Sequence, residues 1–276
     1  MSKSSLIKSP VVMGVLNVTP DSFSDGGEFD GVERAVARAK EMIEEGAQII
    51  DVGGESTGPG SVDVHLEEEL GRVIPVIQAI HEQVPGALIS VDTWKSEVAR
   101  QAIEAGARMV NDVTALRGDE DMARVVAEAD VPVVIMYSKD GSARTTGEAM
   151  EYEDVVASVR SFLEERIRFA EEAGISRKRI VVDPGMGAFV SGVAKYSLAL
   201  LEKLEELQGL GCPVLVGASR KSFIRDIWGG DRPGDRLKGS LEAAKLAVKN
   251  GASIVRVHDV RETVSALGLD LASVGA

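Results

Sequence analysis

The chain has one cysteine, three histidines and few aromatic residues, and each scarcity removes a class of explanation. Cys212 alone cannot form an intrachain disulfide, which suits a reducing compartment and makes a cytoplasmic location the expectation. Set between Gly211 and Pro213 ahead of an apolar run, it reads as a small buried hydrophobe. His65, His81 and His258 are too far apart in sequence to offer a zinc-ligand pair. Aromatics make up 4% of the 276 residues, so the core must be mainly aliphatic. No apolar segment is long enough for a signal peptide or a membrane span, so no membrane partner is expected. Basic residues are outnumbered 31 to 44. The net charge of −13 argues against nucleic acid, which selects Lys- and Arg-rich surfaces. Walker loops, Gly-x-Ser-x-Gly elbows and dinucleotide fingerprints are also missing.

What the sequence does have is a regular alternation. Short β-rich runs stand at 11–16, 49–52, 87–91, 109–110, 131–136, 180–182, 214–216 and 253–257. Between them lie amphipathic stretches such as 31–45, 66–83, 95–105 and 152–173, several closed by a glycine: Gly46, Gly106, Gly174 and Gly251. Strand, helix, glycine, strand repeated in this way implies parallel strands with right-handed crossovers. The expected fold is α/β, a closed (β/α)8 barrel over residues 1–276 as one continuous domain, with a doubly wound open sheet as the alternative.

Polar residues gather where the runs end. Asn17 follows the first, Asp51 to Thr57 the second, Asp92 and Thr93 the third, and Asn111 and Asp112 the fourth. Asp183 follows the sixth, Ser219 to Ser222 the seventh, and Arg256 to Asp259 the eighth. Singly, each has a plain structural explanation. Asp92 suits a helix N-cap, Asn111 and Asp183 suit turns, His258 suits a satisfied structural histidine, and Lys221 suits solvent. Jointly they would share the carboxyl-end rim of a parallel barrel, where chemistry is placed. Asp and Asn match the donor–acceptor edge of a nitrogen heterocycle. Arg256, His258 and Lys221 suit a diphosphate, and Asn17 offers a neutral oxygen to Mg²⁺.

Eight strings are similar to those of the dihydropteroate synthases: NVTPDSFSDGG (17–27), DVGGEST (51–57), SVDT (90–93), NDV (111–113), DPGMG (183–187), SRKS (219–222), GSLEAA (239–244) and RVHDV (256–260). The resemblance spans nearly the whole chain. It implies a pterin-binding barrel that joins a dihydropterin-6-methyl diphosphate to p-aminobenzoate, with Mg²⁺ as cofactor on Asn17. It implies that Asp92, Asn111, Asp183 and Lys221 hold the pterin, while Arg256 stacks near it and reaches the diphosphate with His258. Thr57, Ser219 and Phe23 would border the aminobenzoate subsite, and Asp25 would order the closed site. Family habit implies a homodimer.

Three places depart from the family's usual pattern. Gly58 stands where the second loop usually has Arg, Ala188-Phe189-Val190 replaces Phe-Gly-Lys, and Tyr137 follows Met136 where His is usual. A Phe at 189 is expected to narrow the second-substrate subsite against bulkier sulfonamides. Three other readings share the barrel. They are a pterin-binding homologue without turnover, a synthase for another arylamine, and a methyltransferase from a reduced folate to a corrinoid partner.

Overall fold

The computed structural model describes residues 9–19 and 28–269. The apolar runs become strands β1 (Val11–Asn17), β2 (Ile49–Gly53), β3 (Leu88–Asp92), β4 (Met109–Asp112), β5 (Val133–Met136), β6 (Ile180–Asp183), β7 (Leu215–Val216) and β8 (Ile254–Val257). They form one parallel sheet in the order β6-β5-β4-β3-β2-β1-β8-β7. The two outer strands then meet. A parallel bridge joins Val182 to Val214, and the Val182 N–H donates to the Pro213 carbonyl at 2.9 Å. That contact closes the sheet into a (β/α)8 barrel and removes the open doubly wound alternative.

The surrounding helices are α1 (Glu28–Glu44), α2 (Leu66–Gln83), α3 (Ser96–Ala105), α4 (Met122–Ala129), α5 (Val155–Glu172) and α6 (Ala194–Glu202). Two more, α7 (Ser222–Trp228) and α8 (Leu237–Lys249), lie between β7 and β8, and α9 (Val260–Ala266) follows β8. Each presents an apolar stripe to the strands; α2 buries Leu70, Val73, Val76, Ile77 and Ile80. Gly106 ends α3 at a φ of 124°, and a Cβ there would lie 2.5 Å from His81 Cγ. Backbone conformation and packing both demand glycine at that helix end. No described helix is long and apolar enough to cross a membrane.

The barrel interior explains where the site sits. Met13, Ile49, Met109, Val134, Val181, Leu215 and Ile254 pack into a plug inside the strands. Their neighbours in sequence, such as Val12, Ile50, Val110 and Val182, face outward into the larger cluster beneath the helices. Side chains alternate with a period of two, so stepping two residues along the inward face reaches Asp51, Asn111, Asp183 and Arg256. The site is therefore the next layer of the barrel, resting on an apolar floor. Asn17, Gly53, Asp92 and Asn111 are register partners across four adjacent strands. The polar residues expected just beyond the strands are instead their last paired positions.

Candidate active site

Arg256 organises the polar layer. Its Nε donates to Asp51 Oδ2 and its Nη2 to Asp92 Oδ2, both at 2.6 Å. Asn111 Nδ2 donates to the same Asp51 oxygen at 3.0 Å. Asp183 Oδ1 accepts the Gly185 N–H at 2.8 Å. On its other side, Asp183 Oδ2 lies 3.9 Å from where a Cβ on Gly217 would sit, and Arg256 Cβ is equally close to that point. Two carboxylates, from β2 and β3, thus hold one guanidinium from β8, and the Asp183 carboxylate of β6 adds its charge nearby. Asp92 does not cap α3, whose N-cap is Lys95. A planar guanidinium carries the same N–C–N donor edge as an aminopyrimidine, so carboxylates that hold one are shaped to hold the other.

Burial sets the electrostatics. It raises the Asp183 carboxyl, against the pull of Lys221, the Gly185 N–H and Arg256. Burial, with the charges of Asp51, Glu69 and Asp112, pushes Asp92 up to about 7 despite Arg256. The same burial works against the Arg256 cation, but Asp51 and Asp92 outweigh it and hold the guanidinium above its ordinary value. Lys221 is lowered to about 8 by burial, with Asp183 opposing. Desolvation and the cations Arg256 and Arg220 push His258 down to about 4, so its ring is neutral at pH 7.

A second region adjoins this layer. Asn17, Arg34, Arg38, Arg220 and His258 line a cavity of about 420 Å³ beside the carboxyl end of β1. Arg38 Nη2 donates to the His258 carbonyl at 3.4 Å, and Arg220 forks onto Asp259, with Nε to Oδ2 at 3.0 Å. Arg220 sits at a φ of +60°, a conformation costing about 1–3 kcal/mol for a side-chain-bearing residue. It is held there by Ser240 Oγ on its N–H and by Arg236 Nη1 on its carbonyl, at 3.0 and 2.8 Å.

Two residues gain partners that the sequence did not point to. Arg256, expected to reach an anion together with His258, bonds Asp51 and Asp92 here, because those buried carboxylates demand its charge. Ser219, expected at the second-substrate subsite, bonds His258 Nδ1 through Oγ at 3.1 Å and so supports the cavity side. Arg34, Arg38 and Arg220 stand around His258 together with Arg256, whose charge also reaches the imidazole.

The third region is made of loops. Phe189, in the loop after β6, is only 9% exposed and packs with Val113, Met136, Ala143 and half-buried Trp94. The Lys221 ammonium lies over its ring at 4.9 Å. Phe189 is therefore a packed wall and not a projecting side chain. Thr57 and Gly58, half-buried in the loop after β2, face the same side of the mouth through Thr145, which bonds Thr57 O by its N–H at 3.2 Å and Ala188 O by its Oγ1 at 2.8 Å. Phe23 and Asp25 lie outside the described residues.

Sequence reasoning placed Asn17, Asp92, Asn111, Asp183, Lys221, Arg256 and His258 on this rim but gave Asp51 no role. Its signal was available: an Asp inside an apolar run, at the inward parity of β2. Arg34 and Arg38 carried no comparable signal, since their meaning depends on α1 lying beside the end of β1 and near His258.

Residues 13–258 match the family described as pterin binding enzyme. The dihydropteroate synthase of Escherichia coli K12 is 45% identical over 270 residues, covering 98% of this chain and 94% of that one. A probable bifunctional folylpolyglutamate synthase/dihydropteroate synthase of Haloferax volcanii is 46% identical over 262 residues; the match takes in 95% of this chain and 30% of that longer protein. The structure of Xanthomonas albilineans dihydropteroate synthase with 4-aminobenzoic acid superposes with a TM-score of 0.87 at 47% identity, covering 98% of this chain and 94% of that one. A barrel with carboxylates above an apolar floor, cations beside them and this breadth of identity leaves one assignment: the chain belongs to the dihydropteroate synthase family of pterin-binding enzymes.

Proposed function

We propose that the protein condenses a 7,8-dihydropterin-6-methyl diphosphate with p-aminobenzoate, releasing pyrophosphate and 7,8-dihydropteroate for folate synthesis. The carrying observation is the inward polar layer of Asp51, Asp92, Asn111 and Asp183. These acceptors and donors suit the pyrimidine edge of a pterin, with Lys221 beside Asp183. Asp51 Oδ1 is buried without a partner, a polar atom that a bound ligand or water would satisfy. In the reaction, the arylamine nitrogen forms a bond to the pterin methylene carbon. The carbon–oxygen bond to the diphosphate breaks, and the amine loses a proton. An arylamine is a modest nucleophile, so positioning contributes more than base catalysis. Asp183 stabilises the electron-poor ring, while His258, Arg220 and the α1 arginines receive the departing charge.

Asn17 offers one neutral oxygen at the cavity, and among the described residues no cluster of three His, Cys, Asp or Glu side chains could hold a metal. That set fits Mg²⁺, which takes few protein ligands and completes its shell with phosphate and water. Asn17 would hold it, and the ion when bound neutralises charge on the leaving diphosphate. Pyrophosphate release is the test. It should require both the pterin diphosphate and p-aminobenzoate and fall with excess chelator. Release with a different arylamine only would move the assignment to another synthase. Silence with every arylamine would reduce the protein to a pterin binder.

A further inference from the structure

The loop between β5 and α5 reaches across the barrel mouth and is bonded to two other loops. Arg144, near its tip, pairs with Glu55 and Asp63 of the loop after β2, and its Nη2 donates to the Val62 carbonyl at 2.9 Å. The next residue, Thr145, donates its N–H to Thr57 O and its Oγ1 to Ala188 O. Six residues earlier, the Lys139 N–H donates to the Phe189 carbonyl at 2.9 Å. Further along, Tyr152 donates to Val190 O at 2.6 Å, and Met150 exchanges two bonds with Ser191 Oγ.

The tip is built to stay in place. Asp140 Oδ2 accepts from Lys139 Nζ and the Thr146 N–H, at 2.7 and 2.9 Å. Glu55 is the buried partner, with a side chain 3% exposed, whereas Asp63 is open to solvent. Burial would raise the Glu55 carboxyl, but Lys95 and Arg144 together hold it low. Glu55 keeps Lys95 when Arg144 is removed, so the loss of Arg144 breaks the link between loops without leaving a buried charge unpaired.

We propose that Arg144 is a positioning residue for the second substrate: with Thr145 it locks the loop after β2 to the loop after β6 and thereby fixes the gap between Thr57 and Phe189 through which an arylamine is sorted. This rests on the reading that the protein joins a pterin to an arylamine. A guanidinium is required because three acceptors are met at once by a planar fork, which a lysine ammonium on a flexible stem does not reproduce.

The experiment compares wild type with Arg144→Ala and Arg144→Lys. Michaelis constants are measured for both substrates, and hydrogen exchange is followed in 54–65 and 184–193. The arylamine constant should rise about tenfold in Arg144→Ala, the scale of one lost positioning contact, with the pterin constant unchanged. Arg144→Lys should recover only part of the loss, and exchange should quicken in both loops. An arylamine constant that moves less than twofold, or both constants rising together, overturns the proposal. If wild type turns over no arylamine, the functional reading falls by itself. Exchange then decides the lock: unchanged protection in both loops refutes it.

Discussion

The two sides of this barrel mouth are built on different principles. The heterocycle side is carried on strands: Asp51, Asp92, Asn111, Asp183 and Arg256 are paired positions of β2, β3, β4, β6 and β8. Asp51, Asp92, Asn111 and Arg256 bond one another directly at 2.6–3.0 Å over an apolar floor, with Asp183 beside them. The second-substrate side is carried on loops, whose mutual bonds run mostly to backbone carbonyls: Thr57, Val62, Ala188, Phe189 and Val190. Carbonyl contacts constrain where the chain runs but not which side chain it presents. A strand layer tolerates little change without unsatisfied buried charge, whereas a loop can exchange residues if its carbonyls remain in place.

The departures from the family pattern obey this division. Gly58, Tyr137 and Ala188-Phe189-Val190 all fall on the loop side, and they are physically connected. Tyr137 bonds Tyr152, Tyr152 bonds Val190, and Lys139 bonds Phe189. Where the resemblance implies an arginine at 58, the structure delivers a guanidinium to the same loop from Arg144. Tyr137 and the segment 188–190 belong to one connected unit, and Gly58 lies in the loop that Thr145 bonds to it.

The contrast breaks most plainly at Arg256. Arg256→Met leaves Asp51 and Asp92 buried without their cation and should cost about 3 kcal/mol of stability by urea unfolding. The loop-side Arg144→Ala should cost less than about 1 kcal/mol in the same measurement. Equal costs would mean that the two sides are not built differently.

Asp183→Asn should weaken pterin binding by roughly tenfold to a hundredfold in calorimetry, since one charge-assisted hydrogen bond is worth about 1.5–3 kcal/mol. Arylamine affinity in the pterin-saturated protein should stay the same. His258→Ala should slow turnover about tenfold, a typical cost of one lost contact to the departing charge, while sparing the binding of a diphosphate-free pterin. Equal losses in both would remove His258 from the leaving-group side.

The pH dependence sharpens the comparison further. Burial holds Lys221 at about 8, so its cation is present below that pH and is lost as pH rises through it. Turnover should therefore decline above about pH 8, and Lys221→Arg should shift the decline upward. A profile flat to pH 9.5 would show that the ammonium charge is not used. The smallest effect expected is at Phe189. Phe189→Gly should favour a sulfonamide over p-aminobenzoate by a few-fold in the ratio of inhibition constant to Michaelis constant, the scale of a small steric difference. Since the ring is packed against Val113, Met136 and Ala143, an unchanged ratio would assign it to loop support alone.

The legible part of the site was the part governed by period. Each apolar run is a strand, and Asp51, Asp92, Asn111 and Asp183 at the ends are inward positions, whereas Asp112 has the other parity and bonds Thr114 and Leu116. Asp51 was legible as a strand-end carboxylate, but its bonds to Asn111 and Arg256 were not, since both partners lie far away in the chain. The pairing of Arg256 with Asp51 and Asp92 was not legible, because strand order alone does not show that a side chain of β8 reaches past β1 to β2 and β3. Arg34 and Arg38 were illegible for a related reason: charged residues four apart on a helix look like a solvated face until the cavity they line is known.

By itself the sequence determined the eightfold alternation, the polar strand ends and the membership of a pterin-binding family, because these depend on local period and on short motifs. Tertiary structure alone decided that the sheet closes at Val182 and Val214, that Arg256 neutralises Asp51 and Asp92, and that the loop after β5 joins the loops after β2 and β6. Each of these is a contact between residues far apart in the chain. Its existence is set by closure of the barrel and by the cost of leaving buried charge unpaired, neither of which is written in any single segment.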